Sequence, residues 1–442
     1  DDHSYLPQSG YSVLNAEQVL DARIRSSAIE LRLASSNDAD FSWMLGGNLS
    51  RDDGSEYHKL FIDTNSTMYP LLGEALIASR LLTFGEHEAA QYAGFASGSW
   101  QFAETLSLDT GARYTHDRRR FAGCSLEPDD SQGLGLTNVI NLIALSRGRT
   151  GAPIARGDCL TLDAEGGNAL TRDTLAENNL SGRLALNWTP SADALYYLSL
   201  SRGFKSGGFP VLSASDQVQY TPVRQEELRA YELGSKHTLW KARAQFNLAA
   251  FYYDYRDKQL LTRLRDPVFG PLPILRNAPK SRVVGVEGEL RAAPFAGLAL
   301  SAAGSYLRTR IDRFESTGFD GRPADFSGNP FNLTPELQFT LLADYSLMLG
   351  QRLLGSIGID YRYTGEANST LDESPLFAHE AYGLINLRAR LEDSESRWTL
   401  TSFVQNLRDE RYTLSIIQTG EGAARFVGRP RTVGVTLGYR WF

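Results

Sequence analysis

The chain has 442 residues, 42% of them apolar and 22% charged, with a formal net charge of −7. That balance excludes a disordered tail and a helical membrane protein, and the acidic charge gives no footing for a nucleic-acid partner. Aromatic residues reach 11%, and 40 Gly with 17 Pro suit a chain of many strands and turns.

Length alone suggests two or three ordinary domains, although a single β-barrel can be this long. No apolar run of about 18 residues occurs, so there is no spanning helix. A membrane protein without such a run has to be a barrel, because only helices and closed sheets satisfy their backbone polar groups in lipid. No basic segment followed by an apolar stretch opens the chain at Asp1. Either the chain is mature or its beginning is missing.

Period-two alternation recurs from end to end. In chain order, "LSGRLALNW" sets Leu180, Leu184, Leu186 and Trp188 against Ser181, Arg183 and Asn187. "ARAQFNLAAFYY" sets Phe246, Leu248 and Tyr252 against Gln245 and Asn247. "VVGVEGELR" opposes Val284 and Val286 to Glu287 and Glu289, and "LQFTLLADYSL" opposes Leu341 and Tyr345 to Thr340 and Asp344. "LLGSIGIDYRYT" opposes Ile357, Ile359 and Tyr361 to Asp360 and Arg362. Fifteen such segments centre near residues 30, 45, 96, 111, 184, 199, 233, 248, 287, 303, 342, 358, 386, 403 and 436.

The connections alternate as well. Short turns such as 35–39, 189–193, 293–297, 348–351 and 392–396 exchange with long polar stretches at 52–89, 117–177, 206–224, 257–281, 311–332, 365–380 and 408–428. A soluble sandwich also alternates, but it needs its apolar faces to meet in a shared core. Here single aromatics sit near segment ends (Trp43, Trp100, Trp188, Tyr252, Tyr345, Tyr363, Tyr439 and Trp441), as in the girdles of an outer-membrane barrel. The expected fold is all-β, an antiparallel transmembrane β-barrel with short periplasmic turns and long extracellular loops. Fifteen is odd, whereas such bacterial barrels have even strand counts. One further strand within 1–27 repairs the parity, with "YSVLN" (11–15) as a weak candidate. The preferred reading is the carboxy-terminal part of a longer protein.

Several blocks carry a family resemblance. "SSAIELRLASSNDADFSWMLGGNL" (26–49), "LSLDTGARYTHDRRRF" (106–121), "SLSRGFKSGGF" (199–209), "FVQNLRDERYTL" (403–414) and "FVGRPRTVGVTLGYRWF" (426–442) resemble TonB-dependent outer-membrane receptors. The resemblance implies a barrel of about 22 strands filled by an amino-terminal plug, through which the inner-membrane coupling protein TonB acts. Neither a plug-like segment nor a coupling box is visible, so residues 1–442 read as a partial barrel domain with the plug and about seven strands absent. Location in the outer membrane of a Gram-negative bacterium is implied, with outer-membrane lipid and lipopolysaccharide as surroundings. Active uptake of a ferric siderophore or similar metal chelate is the implied function. A plugless diffusion porin and a soluble all-β binding protein are the alternatives.

Candidate residues follow from both lines of reading. Arg118, Arg119 and Arg120 stand at a strand's outer end, where guanidinium groups suit an anionic chelate, lipopolysaccharide phosphates or plain solvation. Tyr253, Tyr255 and Arg256 offer a stacking surface for a ligand, or girdle and loop packing. Arg183, Glu232, Lys236, Glu287, Glu289, Asp360, Arg362, Arg388 and Arg390 alternate away from the apolar rows. In the family they would face the plug; in an open pore they would tune ion passage. Cys124 and Cys159, the only cysteines, fall in the longest external loop, and an exported protein is expected to join them as a disulfide. No Cys or His at ligand spacing lies nearby, so metal ligation is the weaker reading. Tyr439, Trp441 and Phe442 match the terminal aromatic that outer-membrane assembly reads. No catalytic constellation, metal motif or cofactor is expected, and the six His are scattered.

Overall fold

The computed structural model describes residues 2–7, 16–35, 40–64, 70–71, 76–131, 135–318, 320–395, 397–419 and 422–441. Each segment with period-two alternation becomes a strand, since alternate side chains of an extended chain point to opposite faces. The first are β1 (Asp2–Pro7), β2 (Ala16–Ala34), β3 (Phe41–Ile62), β4 (Arg80–Ala103), β5 (Leu106–Leu126) and β6 (Thr171–Ser191). Then come β7 (Ala194–Lys205), β8 (Glu226–Leu239), β9 (Ala244–Asp266), β10 (Gly270–Ala292) and β11 (Leu298–Arg313). The wall ends with β12 (Leu337–Leu349), β13 (Leu353–Thr364), β14 (Tyr382–Asp393), β15 (Trp398–Gln405) and β16 (Thr432–Tyr439).

All pair antiparallel with their neighbours in sequence, as one meander. Strands β2 to β16 answer one for one to the fifteen expected segments. β1 is a sixteenth strand, the less favoured of the two resolutions that the odd count left open. It lies at Asp2–Pro7, paired Asp2↔Ala22 to Pro7↔Glu17, rather than at 11–15, which fall outside the described residues. Among the described residues, β1 and β16 each pair on one side only, which leaves the meander two edges.

The short and long connections alternate as expected, but three of the long ones, expected at 52–89, 117–177 and 257–281, are shorter than the sequence suggests. β9 and β10 stay in register from Arg256↔Lys280 to Asp266↔Gly270, so 257–281 is a hairpin and not a loop. Likewise β3, β4 and β5 run 22, 24 and 21 residues, against about 10 needed to cross a bilayer. The surplus stands beyond the membrane at the long-loop end, where polar residues no longer interrupt a lipid-facing pattern but still pair through their backbones. At the other end the turns are tight. Gly297, with φ of +87°, closes β10 to β11 where a Cβ would strike the Ser346 carbonyl.

Burial is inverted relative to a water-soluble domain. The apolar rows of the wall are exposed: Leu31 is 73%, Leu49 59%, Leu233 61% and Ile357 64% accessible. Tyr92 and Trp100 share that face of β4 eight positions apart, about 27 Å along the strand. With tilt, this matches the roughly 25 Å apolar band of an outer-membrane barrel bounded by aromatic girdles. Among the described residues the buried apolar clusters lie at the long-loop end. One gathers Ile62, Leu81, Leu136, Ile140, Leu160 and Leu162, another Leu260, Ile311, Phe314 and Phe326, and a third Phe121, Leu212, Tyr220 and Ile274. The first cluster seats a helix, α1 (Gly135–Ser146), inside the stretch expected to be an irregular loop. No helix among the described residues is long and apolar enough to cross a membrane.

Replacing Leu184, on the exposed face near mid-wall, by Arg should cost the full-length protein about 2–4 kcal/mol. Heat-modifiable gel migration should show a smaller folded fraction, whereas Arg183→Leu on the opposite face should leave migration unchanged.

Candidate functional site: the inward face and its cap

Cross-strand register fixes which side each candidate takes. Residues sharing a face with Leu180, Leu198, Leu233, Leu248 and Val286 point out, and their neighbours point into the lumen. Arg183, Glu232, Lys236, Glu287, Glu289, Asp360, Arg362, Arg388 and Arg390 all fall on the inward face. Arg388 donates to Asp344 at 2.6 Å and stands 3.6 Å from Asp360, which accepts from Asn386 at 2.7 Å. Tyr197 donates to Glu232 at 2.7 Å, Arg183 to Ser199 at 3.1 Å, and Lys236 sits 6.0 Å above the Tyr197 ring. Arg291 donates to Glu289 at 2.6 Å, and Arg390 lies 2.8 Å from Glu392. Glu287 and Arg362 make no hydrogen bond or ion pair among the described residues.

Neither cluster of ligand candidates stays together. Alternation splits the three arginines: Arg119 points inward, with Nε 2.9 Å from Asp117, while Arg118 and Arg120 point outward. Tyr253 and Tyr255 face in. Tyr253 stacks on Phe251 at 4.7 Å, and Tyr255 lies under the Lys258 ammonium at 4.2 Å and edge-on to Phe331. Arg256 takes the opposite face and pairs with Asp254 at 3.3 Å. One strand cannot present residues of both parities to one ligand.

What does converge on Arg119 is the connection 206–224, which folds back onto the inner face of β4–β6. Ser206 donates to Asp117 at 3.1 Å, and the Gly207 and Gln225 N–H groups donate to Glu177 at 3.0 and 2.7 Å. Gly207 is held so closely that a Cβ would strike the Val223 carbonyl. Phe209 stacks on Phe121 at 5.3 Å, and Tyr220 meets the same ring at 5.1 Å. The Tyr220 hydroxyl donates to the Leu212 carbonyl, and burial pushes its phenol up to about 12. Arg119 lies beneath Gly208.

The sequence reading missed the carboxylates that hold this fold-back. Besides Asp117 and Glu177, Asp266 is 2% exposed and accepts from Ser215 N–H and Oγ at 3.0 and 2.8 Å. It also accepts from the Val268 and Phe269 N–H groups at 2.6 and 2.7 Å. One buried carboxylate thereby ties the fold-back to the tip of the β9–β10 hairpin. Its signal was Asp266-Pro267 at a hairpin turn, a position where Asp caps backbone donors.

Cys124 and Cys159 are joined by a disulfide, with Cα atoms 5.7 Å apart. Cys124 sits on β5, paired with Phe84, rather than in a loop. The bond fastens the segment after α1 to the wall. At the chain end, Tyr439 and Trp441 are exposed with rings 4.8 Å apart; Phe442 lies outside the described residues. Among the described residues no cluster of His, Cys, Asp or Glu could hold a metal ion.

An antiparallel meander with a greasy exterior, a charged interior and a cap at one end defines a membrane-barrel wall. The sequence matches the model of the TonB dependent receptor-like β-barrel over residues 2–407, so the chain belongs to that family. The solved ferric yersiniabactin uptake receptor FyuA from Yersinia pestis is similar, with a TM-score of 0.72 and 17% identity over 97% of this chain and 56% of that one. The siderophore receptor PiuA from Acinetobacter baumannii gives 0.66 and 13% over 95% and 56%. The copper transporter OprC gives 0.63 and 14% over 98% and 59%. This chain thus spans a little over half the length of these solved relatives.

Removing the clamp or the disulfide should loosen the cap and spare the wall. Asp266→Ala is expected to cost the cap on the order of 3 kcal/mol, since it strips a charged acceptor from buried donors. Hydrogen exchange should quicken at 206–224 and remain slow in β12–β14. Cys124→Ser with Cys159→Ser should cost about 3–4 kcal/mol on the chain-entropy model and free 127–170 for limited proteolysis.

Proposed function

We propose that this chain forms the wall and outer cap of a receptor that captures a scarce metal chelate outside the cell. A ferric siderophore is the class that the similar receptors FyuA and PiuA favour. The reading carries the whole-receptor activity over from the family: energy from TonB reaches a plug inside the barrel and admits the bound chelate. The membrane is the outer one, since the family is an outer-membrane family of Gram-negative bacteria. Its members are transporters, not enzymes.

The observation that supports this reading best is the inward cap. Here 206–224 is clamped onto the inner wall by Asp117, Glu177 and Asp266, which builds a fixed surface at the long-loop end. The cap brings Phe209, Tyr220 and Phe121 beside Arg119, whose guanidinium suits the anionic oxygens of a chelate. On this reading the inward charges form a polar inner wall that faces the plug and holds it by polar contacts, which a pull along the barrel axis can break. Copper is the competing cargo, because OprC shares the fold.

The test uses the complete gene in a strain stripped of its own receptors. Growth under iron limitation should be rescued by one class of ferric siderophore and should vanish when TonB is deleted. Arg119→Ala should raise the half-saturating ligand concentration about ten-fold, the loss of one charge-assisted contact. Rescue that survives deletion of TonB, or uptake that never saturates, would point to a pore instead.

A further inference from the structure

Beneath the fold-back lies a titratable side chain that the site does not use. His87 takes the inward face of β4, on the long-loop side of the girdle residue Tyr92 and so outside the hydrocarbon. Its direct partner on β5 is Phe121, and the two rings stand 5.3 Å apart. Phe121 in turn carries Phe209 and Tyr220 of the fold-back. The floor of this packing is Gly85, where a Cβ would meet Val211 at 2.9 Å and both Phe121 and the His87 Nε2 at 3.2 Å. That Nε2 is enclosed and has no hydrogen-bond partner among the described residues.

Few charged groups surround it. β3 turns Asp52, Glu56 and His58 to the same face, with Glu56 and His58 engaged with each other at 3.3 Å. β5 supplies Arg119, held by Asp117. Residues 207–214 of the fold-back carry no titratable side chain. Burial holds the His87 imidazole below its ordinary range; the Glu56 carboxylate pulls the other way, and the Arg119 guanidinium adds to the depression. We propose that His87 is a proton-operated release for the fold-back. Neutral, its ring fills the space over Gly85 and keeps Phe121 in place under Phe209 and Tyr220. Protonated, it carries an enclosed N–H without an acceptor and a positive charge beside Arg119, so it turns out to water and leaves Phe121 unsupported. The sign follows from linkage. A histidine whose folded pKa is depressed contributes stability that is whole above its unfolded value of about 6.5 and is lost as pH falls through the folded value. Acid at the long-loop end therefore frees Arg119 and the rings beside it from 206–224. The release stands on the packing under the cap and holds whatever the cargo.

Hydrogen exchange on the full-length protein in detergent, corrected for the intrinsic pH dependence of exchange, reads the release. Protection of 206–224 should fall about five-fold between roughly pH 7.5 and roughly pH 5, while β12–β14 keep theirs. His87→Gln, neutral at every pH, should abolish that step, and His58→Gln should keep it. An unaltered protein without the step, a step that survives His87→Gln, or one that disappears with His58→Gln would overturn the release. Should His87→Gln fail to fold, the unaltered protein decides alone. A step that begins above about pH 5 then supports the release, and one confined to lower pH, where carboxylates titrate, overturns it. Uptake plays no part in this readout, so its failure leaves the proposed cargo untouched.

Discussion

Backbone hydrogen bonding in a medium without water governs everything else in this molecule. Every N–H and C=O within the hydrocarbon must find a partner on a neighbouring strand, so the chain has to run as an unbroken antiparallel meander. Once pairing is imposed, side chains have only two destinations, lipid or lumen, and the sequence must alternate. The same constraint explains why two edges matter. β1 and β16 each present one unpaired side among the described residues. A membrane-embedded wall of this kind needs both edges covered, either by each other or by further strands.

The wall was legible because period two is the most direct signal a sequence carries. Leu184 and Arg183 are assigned to opposite faces by parity alone, with no knowledge of neighbours. Where lipid stops, the signal stops. The upper halves of β3, β4, β9 and β10 are held by pairing and by packing under the cap, with no lipid-facing row, so their mixed residues read as loop. Helix α1 did leave a trace: Leu136, Ile140 and Ala144 recur every four residues and are all buried. It was hidden by the polar, glycine-rich run around it.

Candidate sites were less legible, for a reason the wall itself supplies. Arg118, Arg119 and Arg120 look like one cluster in a line of text, yet alternation sends one inward and two outward. Tyr255 and Arg256 part in the same way. Conversely Asp117, Glu177 and Asp266, far apart in sequence, meet around 206–224. Register tells which face a residue takes, but not which loop returns to cover it. Such return paths depend on long-range contacts such as Phe121 with Phe209, which no local periodicity displays.

The cap keeps its own buried clusters, distinct from the exposed rows of the wall. Leu136 and Ile140 bury against Ile62, Leu81, Leu160 and Leu162, and the Cys124–Cys159 bond anchors that unit to a single stave. The hydrocarbon-facing rows and the packing of the cap are therefore written in largely separate residues of the chain. Mutations that reshape the cap need not disturb the hydrocarbon-facing rows, which frees the cap to diversify while the stave pattern beneath it stays fixed.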